Sequence, residues 1–265
     1  LGVPNHQKVI ECSINNITSS QLCSSLENMY GHKVSMTEHL LSAFHGLNID
    51  NALIDLNTDE LPILDGSSKK IVETIESVGV KELHASKKSI KILKPFMVGD
   101  ENSFIKVSPN EQLSIDYTIV YDHSLIKEQN FILDELNEVK YKEMISSSRT
   151  FGFEDEVEFL RAQGLIKGGS VDNAIVLSKD GILNDEDLRF ENEFVRHKVL
   201  DLIGDIYLSG MSIIGSIEAY CAGHRRTQEM LKFLIKDSSL SIIQDSINKK
   251  KKNLIYDSKE VINYI

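Results

Sequence analysis

Apolar and polar residues follow two different periods along this chain of 265 residues. Apolar positions spaced three and four residues apart predict helices over residues 34–46, 70–78, 156–163, 185–208 and 224–235. Alternating or short apolar runs predict strands over residues 52–56, 89–93, 103–107, 113–120, 171–177 and 213–220. Because helices and strands do not alternate with the regular βαβ period of a parallel sheet, we expect an α+β fold.

A polar stretch at residues 81–88 separates the early helices from the main run of strands. We therefore predict a first domain over residues 1–84 and a second over residues 88–265. A chain of this length, with 41% hydrophobic residues, is long enough for two domains that each bury a core.

The predicted helix at 185–208 carries His197, Asp201 and Asp205 four and eight positions apart, so the three side chains share one face. Neutral imidazole and carboxylate at this spacing suit zinc, and two ligands on one helix need a third from elsewhere to leave an open position. His39, preceded by Glu38 at a predicted helix start, is the candidate.

The alternative is a solvated helix face, which is the commoner setting of an i, i+4 His/Asp pair. Apolar neighbours around the pair, among them Val199 and Leu202, instead indicate a helix that is buried along much of its circumference. Buried carboxylates are normally paired or bound to metal. We therefore favour the metal site.

Net charge and cysteine usage exclude several classes of protein. A net charge of -11 argues against a nucleic-acid partner, because phosphate binding needs an excess of Lys and Arg. The basic run at residues 249–252 is interpreted as a solvated tail, with a weak contact to an anionic membrane surface as the alternative. Cys12, Cys23 and Cys221 have neither disulfide-framework nor zinc-thiolate spacing, which favours a reducing, cytoplasmic compartment.

No apolar stretch approaches the roughly 20 residues that a membrane-spanning helix needs, and no secretion signal opens the chain. We expect a soluble monomer.

Seven short motifs resemble, in order, those of the LpxC family: Thr37-Glu38-His39-Leu40, GLNIDN (46–51), LPILDGS (61–67), SRTFGF (148–153), GLIKGGS (164–170), RFENEFVRHK (189–198) and Ala222-Gly223-His224. This family comprises the zinc-dependent UDP-3-O-(3-hydroxyacyl)-N-acetylglucosamine deacetylases of lipid A biosynthesis. The resemblance runs from about residue 30 to residue 235. It implies two similar domains, each a sheet layered against helices, with the active site between them and a βαβ insertion at about residues 151–176.

The resemblance also implies a role for each candidate in the site. His39, His197 and Asp201 would bind zinc, for which iron(II) would compete at such N/O donors. Glu38 would be the base that takes the proton of the attacking water; the alternative is that Glu38 is itself a ligand in place of one of the three.

The remaining chemistry is assigned by the same resemblance. His224 would be the acid that protonates the leaving nitrogen, and Asp205 would hold it as imidazolium. The Thr150 hydroxyl would stabilise the oxyanion, and Lys198 would meet the substrate or the developing negative charge. Without the resemblance, Thr150 is an ordinary strand residue, Lys198 is solvent-facing and Asp205 is a surface salt bridge.

The implied substrate is a small molecule with a UDP group and a fatty acyl chain. In the family the insertion forms a hydrophobic passage for this chain, and a helix packed on a sheet is the alternative interpretation of the same apolar residues. The substrate-binding candidates in and near it are Phe151, Gly152, Phe153, Val157, Phe159, Gly169, Ser170, Ala174 and Val176.

The sequence departs from the family pattern in two places. The Gly-rich opening segment of the family has no recognisable counterpart, so we expect a first domain that is incomplete or divergent at its N terminus. Cys221 stands where Lys is common, and Arg225 and Arg226 are hypothesised to replace that charge. Two alternative functions follow: a degenerate homologue that binds metal or a partner without turnover, and a sugar deacetylase with a different substrate.

Overall fold

The structure, a computed structural model, describes residues 5–19, 23–155, 173–179 and 181–245. Its helices are α1 (Asn5–Lys8), α2 (Glu38–Gly46), α3 (Lys69–Val78), α4 (Glu138–Met144), α5 (Glu193–Ile206) and α6 (His224–Lys236), with 3-10 turns at Ile14–Asn16 and Tyr207–Ser209. Its strands are β1 (Ile17–Ser19), β2 (Ser25–Glu27), β3 (Lys33–Val34), β4 (Lys88–Ile92), β5 (Phe96–Asp100), β6 (Ser103–Ser108), β7 (Ser114–Tyr121), β8 (Lys127–Leu133), β9 (Phe151–Phe153), β10 (Ile175–Leu177), β11 (Ser212–Ile214), β12 (Ser216–Tyr220) and β13 (Ser241–Asp245).

The strands form separate sheets rather than one continuous sheet. The largest has the order β5-β6-β12-β7-β8 and is antiparallel except where β12 pairs in parallel with β7. Two three-stranded sheets have the orders β1-β2-β3 and β11-β4-β13, and β9 pairs in parallel with β10. This mixture of largely antiparallel sheets and helices confirms the predicted α+β class.

The largest sheet positions α5, the helix of the predicted ligands. Strand β7 alternates, so that Ile115, Tyr117 and Ile119 are buried while the residues between them are more exposed. Helix α5 contacts β7 and β8, and α6 contacts β5 and β6. All of the 14 residues of α5 except Arg196 and Lys198 are buried. Its other polar side chains, those of Glu193, His197, Asp201 and Asp205, therefore lie in the interior, as the apolar residues around them predict.

A close contact between α2 and α5 completes the arrangement. A Cβ atom at Gly204 would lie 2.0 Å from the carbonyl oxygen of Glu38, so only glycine allows the two backbones to approach this far. The contact brings the start of α2, with Glu38 and His39, to the polar face of α5.

Several predicted elements are confirmed, and four predictions are wrong. Helix α2 begins at Glu38 rather than residue 34, because Val34 belongs to β3 and pairs with Leu26 of β2. Residues 52–56 form no strand; they are exposed, and no strand among the described residues pairs with them, although a strand needs such a neighbour. Helix α5 begins at Glu193 rather than residue 185, because the Glu193 carboxylate accepts the N–H of Arg189 and holds the preceding segment in turns. The predicted strand 213–220 is divided at Gly215, which packs against Ile92.

The predicted helix at residues 156–163 and the basic run at 249–252 lie outside the described residues. Among the helices that the structure describes, none combines the length and the apolar character needed to cross a bilayer.

Candidate active site

Three buried side chains converge where α2 meets α5. One donor atom from each of His39, His197 and Asp201 lies within 4.8 Å of the other two. Oδ1 of Asp201 is 3.4 Å from Nε2 of His197 and 3.7 Å from Nε2 of His39. Ligands that are bound tetrahedrally at about 2.1 Å lie roughly 3.4 Å apart, so the spacing fits one small divalent cation.

The three groups also have the protonation states that metal binding requires. Burial lowers the pKa of both imidazoles, that of His197 to about 3, so both are neutral at pH 7. Burial alone would raise the pKa of Asp201, but its interactions with His197 and Lys198 outweigh burial and lower it well below its usual range. Two neutral imidazoles and one carboxylate form a donor set that suits zinc or iron(II).

The two imidazoles differ in how they are held. Nδ1 of His197 donates to the carbonyl of Ser148 at 3.1 Å, which leaves Nε2 unprotonated and free to bind metal. Nδ1 of His39 is buried, and no atom of the described residues is within hydrogen-bond reach of it. The position of His39 is set by its backbone instead, since its carbonyl accepts the Ser68 hydroxyl at 2.8 Å.

Lys198, for which the resemblance implies contact with the substrate or the developing charge, lies beside the candidate ligands. Its Nζ donates to Oδ2 of Asp201 at 3.1 Å and lies 5.3 Å from the centre of the Phe151 ring. Burial would lower the pKa of Lys198, but the charge of Asp201 raises it above the usual value. Lys198 therefore adds one positive charge directly next to the candidate metal centre.

Glu38 lies at the first position of α2 and is only 3% exposed. Burial raises the pKa of Glu38 to about 7, and the opposing effect of His224 is smaller. The helix begins without a side-chain cap, because the Thr37 hydroxyl donates to the carbonyl of Ser24 instead. A buried carboxyl with a pKa near neutrality is suited to general-base chemistry.

His224 is the first residue of α6, as the preceding Gly223 predicts, and it contacts the far end of the α5 face. Its Nδ1 donates to Oδ2 of Asp205 at 2.6 Å. Burial would lower the pKa of His224, but the charge of Asp205 and the hydrogen bond raise it to about 10. His224 is thus a cation that is held by one carboxylate.

Thr150 lies in the segment that also orients His197. Its N–H donates to the carbonyl of Gly66 at 2.7 Å, and its carbonyl accepts the N–H of Ile175 at 2.8 Å. On its N-terminal side, the carbonyl of Ser148 accepts from His197. The backbone of Thr150 is thereby held by two hydrogen bonds, two residues after the Ser148 carbonyl that orients His197.

Comparison with known proteins agrees with this geometry. The sequence profile of the LpxC family, described as UDP-3-O-acyl N-acetylglycosamine deacetylase, matches residues 2–236. The chain belongs to the LpxC family. The match extends further towards the N terminus than the resemblance that begins near residue 30, and it includes all seven motifs.

Curated members of the LpxC family are similar over most of this chain. UDP-3-O-acyl-N-acetylglucosamine deacetylase of Syntrophus aciditrophicus is 40% identical over 230 residues, which are 87% of this chain and 72% of the relative. The proteins of the same name from Saccharophagus degradans and Nautilia profundicola are each 46% identical, over 78% and 80% of this chain and over 68% and 72% of their own lengths.

The predicted acyl-binding residues are only partly described. Phe151, Gly152 and Phe153 form β9, where the Phe151 ring is 6.4 Å from the His197 ring between centres and the Phe153 ring is 5.7 Å from Tyr121. Val176, opposite Gly152 on β10, is 8% exposed, and Ala174 precedes that strand. The other candidates lie outside the described residues: Val157, Phe159, Gly169 and Ser170.

The arginines that were hypothesised to replace the family lysine are directed elsewhere. Arg226 donates to Asp100 at 2.7 Å and to Glu229 at 2.8 Å, and its charge is thereby balanced. Arg225 is largely exposed, with its nearest carboxylate, Glu229, 4.0 Å away. Cys221 takes a left-handed conformation with φ of 44°, and its carbonyl accepts the Ser103 hydroxyl.

Sequence reasoning missed the residues that hold the candidate site in place. Glu193 is fully buried, and its carboxylate accepts three hydrogen bonds from Arg149. The donors are the backbone N–H, Nε and Nη2, each within 3.1 Å of a carboxylate oxygen. Both residues lie in the family motifs given above, so opposite charges at these two positions could have indicated a buried ion pair. Ser24 donates to both Glu38 and Asp205, and no spacing in the sequence indicates this.

Proposed function

We propose that this chain is a zinc-dependent deacetylase that hydrolyses the N-acetyl group of UDP-3-O-(3-hydroxyacyl)-N-acetylglucosamine. The products are the free 2-amine and acetate, and the reaction belongs to lipid A biosynthesis. One observation carries the proposal: three buried metal-binding side chains, a buried carboxyl and an imidazolium–carboxylate pair meet in one site of an LpxC-family chain.

The metal would be held by His39, His197 and Asp201. Zinc, when bound, supplies Lewis-acid polarisation of the acetyl carbonyl and lowers the pKa of a water molecule. Lys198 limits the negative charge of Asp201 and adds a cation near the developing oxyanion. Iron(II) is the competing metal for these donors.

Proton transfer is divided between Glu38 and His224. Glu38, with a pKa near 7, takes a proton from the attacking water at neutral pH. His224 is held as imidazolium by Asp205 and gives its proton to the glucosamine nitrogen as the C–N bond breaks. The Thr150 hydroxyl would donate to the oxyanion, and the two hydrogen bonds of its backbone keep it in place.

Acyl recognition is assigned to the segment around residues 151–176. Strands β9 and β10 are parallel neighbours, which is the pairing found in a βαβ unit. The aromatic rings of Phe151 and Phe153 lie on the strand next to the ligands. We propose that this segment forms the passage for the fatty acyl chain.

The domain proposal keeps the boundaries at residues 1–84 and 88–265, with the site between the two parts. Support comes from α2, which supplies Glu38 and His39 from the first part, and α5, which supplies His197 and Asp201 from the second. A cytoplasmic location, supported by the absence of disulfide-type cysteine spacing in the sequence, and a monomeric state remain our proposals.

The deciding experiment compares the wild-type protein on acylated and unacylated UDP-N-acetylglucosamine. Burial of each CH₂ contributes about 0.8 kcal/mol, so removal of several methylenes should lower kcat/KM tenfold or more. Phe153→Asp should raise KM for the acylated substrate and leave the unacylated one nearly unchanged, with thermal unfolding as the check on folding.

Two outcomes would favour the alternatives. Equal efficiency on both sugar nucleotides would indicate a deacetylase with another substrate. Stoichiometric zinc without turnover of either would indicate a binding homologue, although a binding protein has no need for a complete acid–base set.

A further inference from the structure

Ser24 joins the two groups that are proposed to move protons. Its hydroxyl donates to Oδ1 of Asp205 at 2.6 Å, and its backbone N–H donates to Oε2 of Glu38 at 3.0 Å. We propose that Ser24 is a positioning residue that sets the geometry of the acid His224 through Asp205 and of the base Glu38 directly. The inference rests on the proposed function.

The backbone of Ser24 is itself held firmly. Ser24 is fully buried immediately before β2, and its carbonyl accepts both the N–H and the hydroxyl of Thr37, at 3.3 and 3.2 Å. Thr37 is the residue before Glu38. The strand and the first turn of α2 therefore form one unit, and the Ser24 hydroxyl extends from that unit to α5, 181 residues further along the chain.

The hydroxyl bond completes the surroundings of Asp205. One oxygen, Oδ2, accepts from His224, and the other, Oδ1, accepts from Ser24, each at 2.6 Å. A carboxylate bonded through both oxygens cannot rotate about its Cβ–Cγ bond without losing a charge-assisted hydrogen bond. Ser24 thereby fixes the plane of Asp205 and, through it, the direction of the His224 ring.

The amide bond orients the other proton-transfer group. The N–H of Ser24 engages Oε2 of Glu38, so we expect Oε1 to be the oxygen that takes the proton from water. Because a single residue binds both carboxylates, the distance between base and acid depends on one short piece of backbone. A displacement of this kind of group by about 1 Å is enough to slow an enzyme a hundredfold.

The test removes the hydroxyl and keeps the amide. Ser24→Ala should lower kcat about tenfold, with KM and zinc content nearly unchanged, because the lost bond is charge-assisted. The matched control is Ser25→Ala, which removes an equally buried hydroxyl one residue along; that hydroxyl bonds Ser35 instead of a carboxylate. Ser25→Ala should leave kcat within about twofold of wild type.

Ser24→Cys separates the hydrogen bond from packing, since a thiol occupies the space of the hydroxyl but is a weak donor. The kcat of Ser24→Cys should resemble that of Ser24→Ala. If the alanine variant folds poorly, the cysteine variant still tests the role of the hydrogen bond. Recovery of wild-type kcat in Ser24→Cys would overturn the proposal, because packing would then explain the effect.

Coupling to His224 supplies a second criterion. If Ser24 acts through His224, Ser24→Ala should cause little further loss of kcat in a His224→Gln background, whereas independent effects would multiply. Multiplying effects, or equal losses in Ser24→Ala and Ser25→Ala, would overturn the positioning role.

A proton NMR measurement keeps this inference separate from the proposed function. The Nδ1 proton of His224, bonded to a carboxylate at 2.6 Å, should give a downfield resonance that is absent in His224→Gln. The resonance should shift or broaden in Ser24→Ala and stay unchanged in Ser25→Ala, whether or not the protein deacetylates the proposed substrate. An unchanged resonance in Ser24→Ala would overturn the inference, while absence of wild-type turnover would overturn only the proposed function.

Discussion

His197, which is buried, and His224, which is partly buried, lie in one site, each beside an aspartate of α5, yet their imidazoles carry different charges at pH 7. Burial lowers the pKa of His197 to about 3, whereas for His224 the charge of Asp205 outweighs burial and raises the pKa to about 10. Asp201 is shared among two imidazoles and Lys198, but the only cation within bonding distance of Asp205, among the described residues, is His224. At pH 7 Asp201 has Lys198 as its cation while the two imidazoles beside it stay neutral, whereas Asp205 is paired with His224 itself as the imidazolium.

Asp201 and Glu38, two buried carboxyl groups of the same site, also differ in the direction of their pKa shifts. Asp201 has a lowered pKa because Lys198 and the imidazoles outweigh its burial, whereas burial raises that of Glu38 to about 7 and the nearby charges of Asp201 and Asp205 add to this effect. One side of the site thus keeps a permanent anion for a metal. The other side keeps a carboxyl that can exchange a proton near neutrality.

The largest expected effect tests whether the two sides are separate in function. His197→Ala and Asp201→Ala should lose both zinc and turnover, whereas Glu38→Gln should keep zinc and lose about 100- to 10,000-fold in kcat. Metal content and kcat are measured on the same preparations, with the exposed Glu111→Gln as control. A Glu38→Gln protein that purifies without zinc would make Glu38 a ligand and remove the distinction.

The pH dependence of kcat/KM tests the charges assigned to each side. Glu38 must lose its proton to act as base, so activity should rise with pH through about 7; His224 must keep its proton, so activity should fall near its raised pKa of about 10. His224→Gln should lower the maximum about 100-fold and remove the basic limb. Retention of that limb in His224→Gln would assign the acid role to another group.

A smaller effect on kcat is expected when the ion pair between Arg149 and Glu193, which supports only the candidate metal ligands, is broken. Glu193→Ala would leave the Arg149 guanidinium buried without its main partner, at a cost of about 3–5 kcal/mol in the free energy of unfolding. Because this pair holds the segment of Ser148, zinc affinity should fall about tenfold, while kcat at saturating zinc changes less.

The control for this prediction is Glu218→Ala, which breaks an exposed pair with Lys106 and should cost less than about 1 kcal/mol. Chelator competition measures zinc affinity, and denaturant unfolding measures stability. If Glu193→Ala lowered kcat as strongly as Glu38→Gln does, the ion pair between Arg149 and Glu193 would serve proton transfer as much as metal binding.

Local periodicity was sufficient for a large part of this site. The four-residue spacing of His197, Asp201 and Asp205 places them on one face of any helix, and their apolar neighbours imply that this helix is buried. Family motifs then pointed to Glu38, His39 and His224, which the structure brings to the same place. These are properties of short segments, so a single sequence contains them.

Tertiary structure decided the remainder, because it depends on contacts between distant segments. The alternation at residues 52–56 predicts a strand, but hydrogen bonding requires a neighbour that is absent among the described residues. The bond from Ser24 to Asp205 spans 181 positions, and the charge of His224 depends on that aspartate being 2.6 Å away in a buried site. Sequence determines which side chains are available; packing determines which of them are close enough to alter one another's protonation.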